Sequence, residues 1–537
     1  MKKVKNFMAA IMAIALIGFV GCSDSTIDDP NGGGTGEGVN AYISVNIAMD
    51  AGTKAGADYT TDETATKEEN RIEELTLYFF NAPGETNPLN YAAHVTVGKT
   101  DLVVTDATDG AKITSHPVKL TKGKYWVLAV ANGGATSVLT TTNGLEDNLL
   151  KTRTGALDLL TSVPAATSAE KGLVMASRTK NSLTNKYYGS APYVEIEITD
   201  DNTKDNPAYM AIAMERTFAK LTITENNTTS NKNEYSVTDN AGNDDECVVE
   251  IQGYSVININ NSGYIFRNTV KFNPLTPPLD RGFGNIYNST YDSATGDRND
   301  AGDTNPYLYV WDPISSSKKM TGLVFDDLSA SYANHIAGKA ATGLTFTSMT
   351  SMNAGDKVLV GYCPENTADR NSQRNGYSTG VIFKGLVKPI AVYDNNGNDV
   401  ITSYNDGDDL FYSTKTNKFY IDAAAVVADA ANTGFVTAPD VTKPKDLESA
   451  FLRYFKDGEC YYTYWIKHED DAAAKNQTME FAVVRNNVYN MQITGISKLG
   501  TGDIIIDPND PNELVDAYFQ VDLIIRPWVL RINNIEF

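Results

Sequence analysis

Apolar residues recur at every second position from Ala41 to Met49, within the stretch Asn40–Ala55, and this pattern predicts a β-strand. The apolar positions fall at every second residue: Ala41, Ile43, Val45, Ile47 and Met49. A period of two is typical of a strand with one buried face. A basic residue, Lys54, follows the strand among small residues. The strand is therefore expected to lie between an N-terminal processing signal and a second protease site.

Runs of strand-forming residues recur along the rest of the chain. They include two runs in the first quarter and three further on: Ile72–Phe80, Lys124–Asn132, Cys247–Ile259, Lys357–Cys363 and Gly380–Val387. Tyrosine (29 residues) outnumbers phenylalanine (19), and threonine, asparagine, aspartate and glycine are plentiful, which suits strands joined by turns. The expected fold class is mostly β, with a few short helices.

Two stretches have a helical pattern. Ser137–Leu160 is expected to form one or two short helices. In Thr442–Asp457 the apolar residues share one face at helical spacing, and Pro444 falls in the first turn. This second helix is expected to pack on a sheet.

The C-terminal segment repeats the alternation of the first strand. Phe519, Val521, Leu523 and Ile525 are apolar, and the phase of the alternation shifts at Pro527–Trp528, where Trp528 joins the apolar set. A proline at such a shift favours an edge strand or a bulged pair of strands. The number and spacing of these apolar residues match those of the first strand, at Ile43, Val45, Ile47 and Met49.

The N-terminus has the features of an export signal. Three lysines among the first five residues precede the apolar stretch Phe7–Val20, which is too short to favour a membrane span. The stretch ends in the sequence FVGC, which resembles a bacterial lipobox with Phe19 in place of the usual leucine. Cys22 is therefore the predicted site of lipid modification. An ordinary signal peptide with a chance cysteine is the alternative.

The length of 537 residues is too great for one ordinary core, so two domains are expected. We predict a signal peptide over residues 1–21, and a tether with a removable strand over 22–54. An N-terminal β domain is predicted over 55–205, and a C-terminal β domain over 206–537. A loop rich in aspartate and asparagine, Thr199–Asn206, marks the boundary between the two domains.

Charge and motifs narrow the classes of function. The formal net charge is −22, which repels phosphate backbones, so no nucleic-acid partner is expected. The four histidines have no metal-ligand spacing, and the chain contains no P-loop, GxSxG or strand-linked GxGxxG motif. We therefore expect no enzyme activity, no cofactor and no metal site.

Three further features have two interpretations each. Asp394–Asp399 and Asn405–Asp409 are acidic enough for calcium but lack the EF-hand spacing, so solvated turns are favoured. The aromatic run Tyr461–Trp465 suits sugar stacking, although strand spacing favours core packing. The cysteines beyond Cys22 form at most one disulfide or remain buried thiols: Cys247, Cys363 and Cys460.

Several sequence blocks together resemble the Bacteroidales fimbrillins, the FimA/Mfa-like subunits of type V pili. The nearest group is the stalk subunits of the short, Mfa-type fimbria. The blocks span nearly the whole chain and occur together with the lipobox in the family's order: Glu215–Arg216 with Ala219–Lys220, Tyr362–Thr367, Ala482–Tyr489, Ile493–Gly500 and Pro527–Trp528.

The resemblance implies two β-sandwich-like (transthyretin-like) domains and a structural role in adhesion. It implies a lipidated outer-membrane precursor that a trypsin-like surface protease cleaves between Lys54 and Ala55. The family commonly has arginine at this site, and Arg71 is a less favoured alternative. Cleavage would free the first strand, and the C-terminal strand of a neighbouring copy or related subunit would replace it in an extracellular fimbria.

This head-to-tail exchange predicts a shaft subunit, because a tip subunit needs no donor strand and an anchor needs no cleavage. Donor-strand exchange also has a physical basis, since main-chain hydrogen bonds give affinity and alternate side chains set the register. A monomeric surface lipoprotein that binds glycans is the alternative.

Overall fold

The computed structural model describes most of the predicted strands. The described residues are 39–49, 63–66, 68–81, 90–98, 103–106, 110–133, 149–151, 172–178, 194–225, 233–238, 245–259, 262–265, 269–272, 307–310, 344–367, 373–376, 378–432, 447, 451–468, 480–504, 506, 510–512 and 519–529. The predicted lipidation site Cys22 and the predicted cleavage site Lys54–Ala55 lie outside them.

The described chain is mostly β, which confirms the predicted fold class. The strands in chain order are β1 (Val39–Met49), β2 (Glu63–Thr64), β3 (Glu74–Asn81), β4 (Asn90–Gly98), β5 (Val103–Asp106), β6 (Gly110–Leu120), β7 (Gly123–Ala131), β8 (Leu149–Lys151), β9 (Met175–Arg178), β10 (Val194–Ile198), β11 (Ala208–Arg216), β12 (Phe218–Glu225), β13 (Glu234–Thr238), β14 (Asp245–Ile257), β15 (Ser262–Tyr264), β16 (Thr269–Phe272), β17 (Tyr307–Val310), β18 (Thr347–Ser348), β19 (Lys357–Pro364), β20 (Gly380–Pro389), β21 (Val392–Tyr393), β22 (Leu410–Ser413), β23 (Lys418–Tyr420), β24 (Leu452–Phe455), β25 (Glu459–Trp465), β26 (Asn487–Ile496) and β27 (Phe519–Val529).

Helices are short in the described part of the chain. The one α-helix described is α1 (Ala423–Ala428). Asp422 precedes its first residue, and the Asp422 carboxylate accepts the backbone N–H of Ala425 at 2.8 Å. This is an ordinary N-cap. Single turns of 3-10 helix occur at Glu68–Asn70, Ile401–Ser403 and Lys456–Gly458.

The N-terminal half forms a nine-stranded sheet with the order β4-β3-β7-β9-β11-β1-β6-β5, to which β10 adds beside β7. Its buried side chains form one core, which includes Ile43, Val45, Phe79 and Met210. The chain passes to the next sheet at Thr217, because β11 ends at Arg216 and β12 begins at Phe218. The strand β11, which follows the predicted boundary loop, thus pairs within the first sheet.

The C-terminal half contains two five-stranded sheets. One has the order β19-β12-β26-β27-β2, and the other has the order β13-β14-β20-β25 with β18 beside β14. Side chains from both sheets meet in one core, among them Leu221, Val249, Phe383 and Tyr489. Smaller described sheets are β21-β23-β22-β24, β8-β15 and β16-β17.

The helix predicted at Thr442–Asp457 is wrong over its second half. Leu452–Phe455 is strand β24, which pairs antiparallel with β22. Phe451 just before it has a φ of 64°, in the left-handed region, so a right-handed helix cannot continue through it. Leu452 and Phe455 are both buried but pack in different apolar clusters, so β24 buries both of its faces and its sequence lacks the alternation that marks a strand. In Ser137–Leu160, only the strand β8 lies within the described residues.

The sequence left open whether the cysteines form one disulfide or remain free, and in the structure they are free thiols. Cys247, Cys363 and Cys460 are buried, and no disulfide joins these described cysteines.

We predict that adding one methyl group at Gly385 destabilises the C-terminal core. A Cβ there would lie 2.6 Å from Val249 Cγ1 and 3.0 Å from Cys460 Sγ, so the neighbouring strands must shift. Overpacking of this kind costs about 1–3 kcal/mol. Denaturant unfolding of Gly385→Ala should show this loss.

The matched control is Gly98→Ala at the end of β4, where a Cβ meets no atom within 4 Å. Its free energy of unfolding should change by less than about 0.5 kcal/mol. Equal stability of the two variants would contradict the tight packing at Gly385.

Candidate functional site

The first strand, β1, lies in the interior of the nine-stranded sheet. It pairs parallel with β11, where Ile43 lies opposite Ala208, and antiparallel with β6, where Ile43 lies opposite His116. Ile43 and Val45 have no exposed surface. Ile47 and Met49 belong to the same strand and register, but their side chains lie outside the description. The strand that was predicted to be removable thus has a paired strand on each side.

The C-terminal strand, β27, has a different environment. It pairs antiparallel with β26 from Phe519 to Pro527, so Ile525 lies opposite Tyr489 and Pro527 lies opposite Asn487. On its other side it pairs with a described strand only at Trp528 and Val529, which meet β2 in parallel. The predicted donor residues Phe519, Val521, Leu523, Ile525 and Trp528 therefore lie in the C-terminal half, in a sheet that does not contain β1.

A buried polar cluster joins the two halves of the chain. Glu69, which is 1 % exposed, accepts hydrogen bonds through its Oε1 from Lys220 Nζ at 2.9 Å and from the Tyr362 hydroxyl at 2.8 Å. Its Oε2 accepts the backbone N–H of Thr66 at 2.7 Å, and the Thr66 hydroxyl accepts the N–H of Glu69 at 3.2 Å. This reciprocal pair is a capping box, which fixes the short 3-10 turn. We call this set with Arg216 and Asn486 the junction cluster.

Arg216 binds backbone and side-chain oxygens on both sides of the junction cluster. Its Nε donates to the carbonyl oxygen of Glu69 at 3.1 Å, and its Nη1 donates to Asn486 Oδ1 at 3.2 Å. Its Nη2 donates to Asn70 Oδ1. Asn486 has a φ of 57°, and its backbone N–H donates to the carbonyl of Phe218 at 2.8 Å. The end of β11, the start of β12 and the start of β26 are thereby joined.

The electrostatics of the junction cluster favour the charged forms of Glu69 and Arg216 at neutral pH. Burial acts to raise the pKa of Glu69, but the ammonium of Lys220 and the hydrogen bonds from Thr66 and Tyr362 hold it below its ordinary value. Burial lowers the pKa of Arg216 to about 10, which still leaves the guanidinium charged. Burial and the adjacent Glu69 carboxylate raise the pKa of Tyr362, so its hydroxyl remains a donor.

A second buried ion pair supports the same region. Arg485 donates through Nε and Nη2 to Glu365 Oε2, at 2.8 Å and 2.7 Å, and through Nη1 to the carbonyl of Ile265 at 2.7 Å. Arg485 has no exposed surface. Three of the blocks that carry the family resemblance thus meet in space, because Arg216, Lys220 and Tyr362 belong to the junction cluster and Arg485 lies next to Asn486.

Sequence reasoning missed the role of Glu69, because it lies in a run that reads as polar from Ala55 to Asn70. The available signal was the spacing of Thr66 and Glu69, a threonine followed three residues later by glutamate, which is typical of a capping box. The contacts of Glu69 with Lys220 and Tyr362 join residues far apart in sequence. No local pattern predicts such contacts.

The aromatic run and the acidic loops, where the structure describes them, have contacts that stabilise the fold. Tyr462 and Trp465 of the aromatic run are buried in β25. In the acidic loops Asp394 accepts the backbone N–H groups of Asn396 and Asn398, and Asp408 accepts that of Asn405. The described side chains contain no group of three or more residues suited to hold a metal ion. None of the described helices has the length and apolar character to span a membrane.

Two family models match the chain and together cover more than half of its length. "Major fimbrial subunit protein (FimA)" matches residues 41–240, and "Major fimbrial subunit protein type IV, Fimbrillin, C-terminal" matches residues 453–534. The chain belongs to the FimA/Mfa-like fimbrillins of the Bacteroidales. The first match begins within β1, and the second includes β27.

One curated relative is the minor fimbrium subunit Mfa1 of Porphyromonas gingivalis, 27 % identical over 207 residues. The match covers 34 % of this chain and 39 % of Mfa1, so it spans well under half of that relative. A fimbrilin (FimA) from Porphyromonas gingivalis is 15 % identical, with a TM-score of 0.37 and coverage of 91 % of this chain and 98 % of that one. A putative cell adhesion protein from Parabacteroides distasonis is 11 % identical, with a TM-score of 0.37 and coverage of 91 % and 98 %.

We predict that Glu69→Gln destabilises the protein most strongly near neutral pH. The substitution leaves the buried Lys220 ammonium without its carboxylate, and removal of one partner of a buried pair costs about 3–5 kcal/mol. A carboxyl group with a lowered folded-state pKa contributes stability that is present above its unfolded pKa and is lost as the pH falls through the folded pKa. The stability gap between wild type and variant should therefore narrow below the ordinary value of 4.5.

Denaturant unfolding at pH 7 and at a series of lower pH values measures this gap. Glu197→Gln, an exposed glutamate in β10, is the matched control and should differ little from wild type at any pH. A gap that is independent of pH would rule out an ionised Glu69.

Proposed function

We propose that this protein is a structural subunit of a cell-surface fimbria, with a role in the shaft and in adhesion. It is exported as a lipoprotein on Cys22, cleaved between Lys54 and Ala55 by a trypsin-like surface protease, and polymerised by donor-strand exchange. Its partners are other copies of itself and related fimbrial subunits. Membership in a family of fimbrial subunits supports a structural role without enzyme activity.

The observation that carries the proposal is the two-sided pairing of β1. If β1 is removed, β6 and β11 each lose a ladder of backbone hydrogen bonds, and the core loses the buried Ile43 and Val45. Unpaired buried backbone groups are strongly unfavourable. Removal of β1 would leave a groove between β6 and β11. A strand from another subunit that fills this groove restores both ladders, so the cleaved subunit is stabilised by binding a donor strand.

The segment Phe519–Trp528 meets the requirements for that donor. Its apolar residues alternate at the spacing of Ile43 to Met49, so they can occupy the same side of the groove. Burial of four such side chains contributes about 6–12 kcal/mol before the entropy costs, at about 1.5–3 kcal/mol each. Donation from one copy to the next is head-to-tail and heterologous, so it propagates a filament.

We predict that trypsin converts the folded protein into a ladder of oligomers by a single cut after Lys54. Lys54→Gln should remain uncut at this site and monomeric, because the groove stays filled by β1. Mass spectrometry of the new N-terminus and gel electrophoresis without boiling measure both events.

Lys122→Gln is the control, since Lys122 is an exposed lysine on a described turn that ends at β7. It should be cut at Lys54 and polymerise like wild type. Oligomers of the Lys54→Gln variant after trypsin treatment, or a cleaved wild type that stays monomeric, would refute the proposed processing.

A second prediction concerns the groove itself. A synthetic peptide of residues 39–50 should bind the cleaved subunit and shorten the polymers, because it competes with the donor for the position of β1. A peptide of the same composition in scrambled order should have no effect, since its alternation is lost. Size-exclusion chromatography at increasing peptide concentration tests this, and polymer length that is independent of both peptides would contradict an open groove.

A further inference from the structure

A segment that follows the predicted cleavage site contacts both halves of the chain. It comprises Glu63–Thr66 and Glu68–Glu73, and we call it the strap. If the chain is cut after Lys54, the strap stays with the mature subunit and follows its new N-terminus in sequence. Cleavage therefore removes none of the residues of the strap.

The first part of the strap lies on the C-terminal half. Glu63 and Thr64 form β2, which pairs in parallel with Trp528 and Val529 of β27. Ala65, which is 1 % exposed, packs in a small apolar cluster with Phe218, Tyr362 and Val488, among others. The strap thus contacts the outer edge of the C-terminal strand at its far end.

The middle of the strap is anchored in the junction cluster. The carboxylate of Glu69 binds Lys220 of β12 and Tyr362 of β19, and Arg216 binds the carbonyl of Glu69. These two strands neighbour each other in the sheet that also contains β26 and β27. The strands that bind Glu69 and the strand β27 therefore belong to one sheet.

The last part of the strap is held by the N-terminal half. Asn132 accepts the backbone N–H of Glu73 at 2.8 Å and donates to the carbonyl of Arg71 at 2.7 Å. Ile72 is buried in the first core. The strap is therefore held at both ends and in the middle. The position of β2 depends on the contacts that Glu69, Arg71 and Glu73 make further along the strap.

We propose that the strap is a clamp that keeps the C-terminal strand β27 in its resting place and limits the rate at which it is released for donation. This inference rests on the proposed donor role of Phe519–Trp528. For that role β27 must leave β26, and peeling from the Trp528 end must first break the pairing with β2. A two-residue strand alone holds weakly, so the anchor at Glu69 is what keeps β2 in position. Glu69 acts on β27 through β2 and is a positioning residue.

The first test measures the clamp in the uncut monomer, independently of polymerisation. Hydrogen–deuterium exchange is followed by mass spectrometry in wild type, Glu69→Ala and the control Glu197→Ala. Relative to peptides from β14, peptides that contain Trp528 and Val529 should exchange about two- to tenfold faster in Glu69→Ala, the range expected for the loss of an ordinary hydrogen bond between β2 and β27. Exchange in β14 reports any loss of global stability, so an equal increase in both places would indicate global unfolding and not local opening. Glu197→Ala should change neither.

Unchanged exchange at Trp528 and Val529 in a folded Glu69→Ala protein would overturn the clamp. If Glu69→Ala does not fold, Tyr362→Phe replaces it, because this change removes one hydrogen bond to Glu69 and keeps the ring. The same local increase in exchange is then expected, at the lower end of the range.

The second test measures the release of β27 during polymerisation. Thr64→Cys with Val529→Cys places two cysteines at register partners of β2 and β27. After cleavage at Lys54 the oxidised double variant should remain monomeric, and reduction should restore oligomers. The single variant Thr64→Cys should polymerise in both states, because the native cysteines of the described chain are buried.

The outcomes separate the clamp from the proposed function. Cleaved Glu69→Ala protein that polymerises no faster than wild type would overturn the clamp and leave donor-strand exchange intact. Polymerisation of the oxidised double variant as fast as wild type would instead overturn both the clamp and the donor role of β27, because β27 cannot leave β2 while the disulfide holds it. Failure of cleaved wild type and of the reduced variants to polymerise would overturn the proposed function, while hydrogen exchange would still decide whether the strap holds β27.

Discussion

The buried ion pair between Glu69 and Lys220, with the guanidinium of Arg216 beside it, is the interaction on which the arrangement of the chain depends. It places three charged groups where water does not reach, and each is stable there only because the others and the surrounding oxygens satisfy it. Such a pair is weak evidence for net stability, because desolvation offsets most of the attraction. Its contribution is better described as specificity: any arrangement that separates the partners leaves an uncompensated buried charge.

That specificity matters because β1 and β27, the first and last described strands, differ in how they are paired. β1 is paired on both edges inside the first sheet, whereas β27 is paired from Phe519 to Pro527 on one edge and at two residues on the other. The proposed strand exchange would require β1 to stay in place until cleavage and β27 to be removable without unfolding of its sheet. The junction cluster lies between these strands, at the end of β11 and the start of β26, and joins the two sheets.

Sequence patterns predicted the parts of this arrangement that are local. The alternation from Ala41 to Met49 predicts β1 because one buried face imposes a period of two, and the same reasoning predicts β27. The helix expected at Thr442–Asp457 failed because β24 buries both of its faces, so its apolar residues do not alternate, and it pairs with β22. The long-range contacts of the junction cluster could not be predicted from local patterns, since the contact of Arg216 with Asn486 spans 270 residues.

The three buried thiols have a consequence for the chemistry of the protein in an oxidising medium. Only a thiolate attacks disulfides, and burial raises the pKa of Cys460 to about 12, so this sulfur stays protonated. Cys247 and Cys363 are likewise sealed from solvent. Folded copies at high local density therefore cannot cross-link covalently through these residues. An unfolded copy, in contrast, exposes three reactive sulfurs. An oxidant can therefore cross-link unfolded copies through these cysteines but not folded ones.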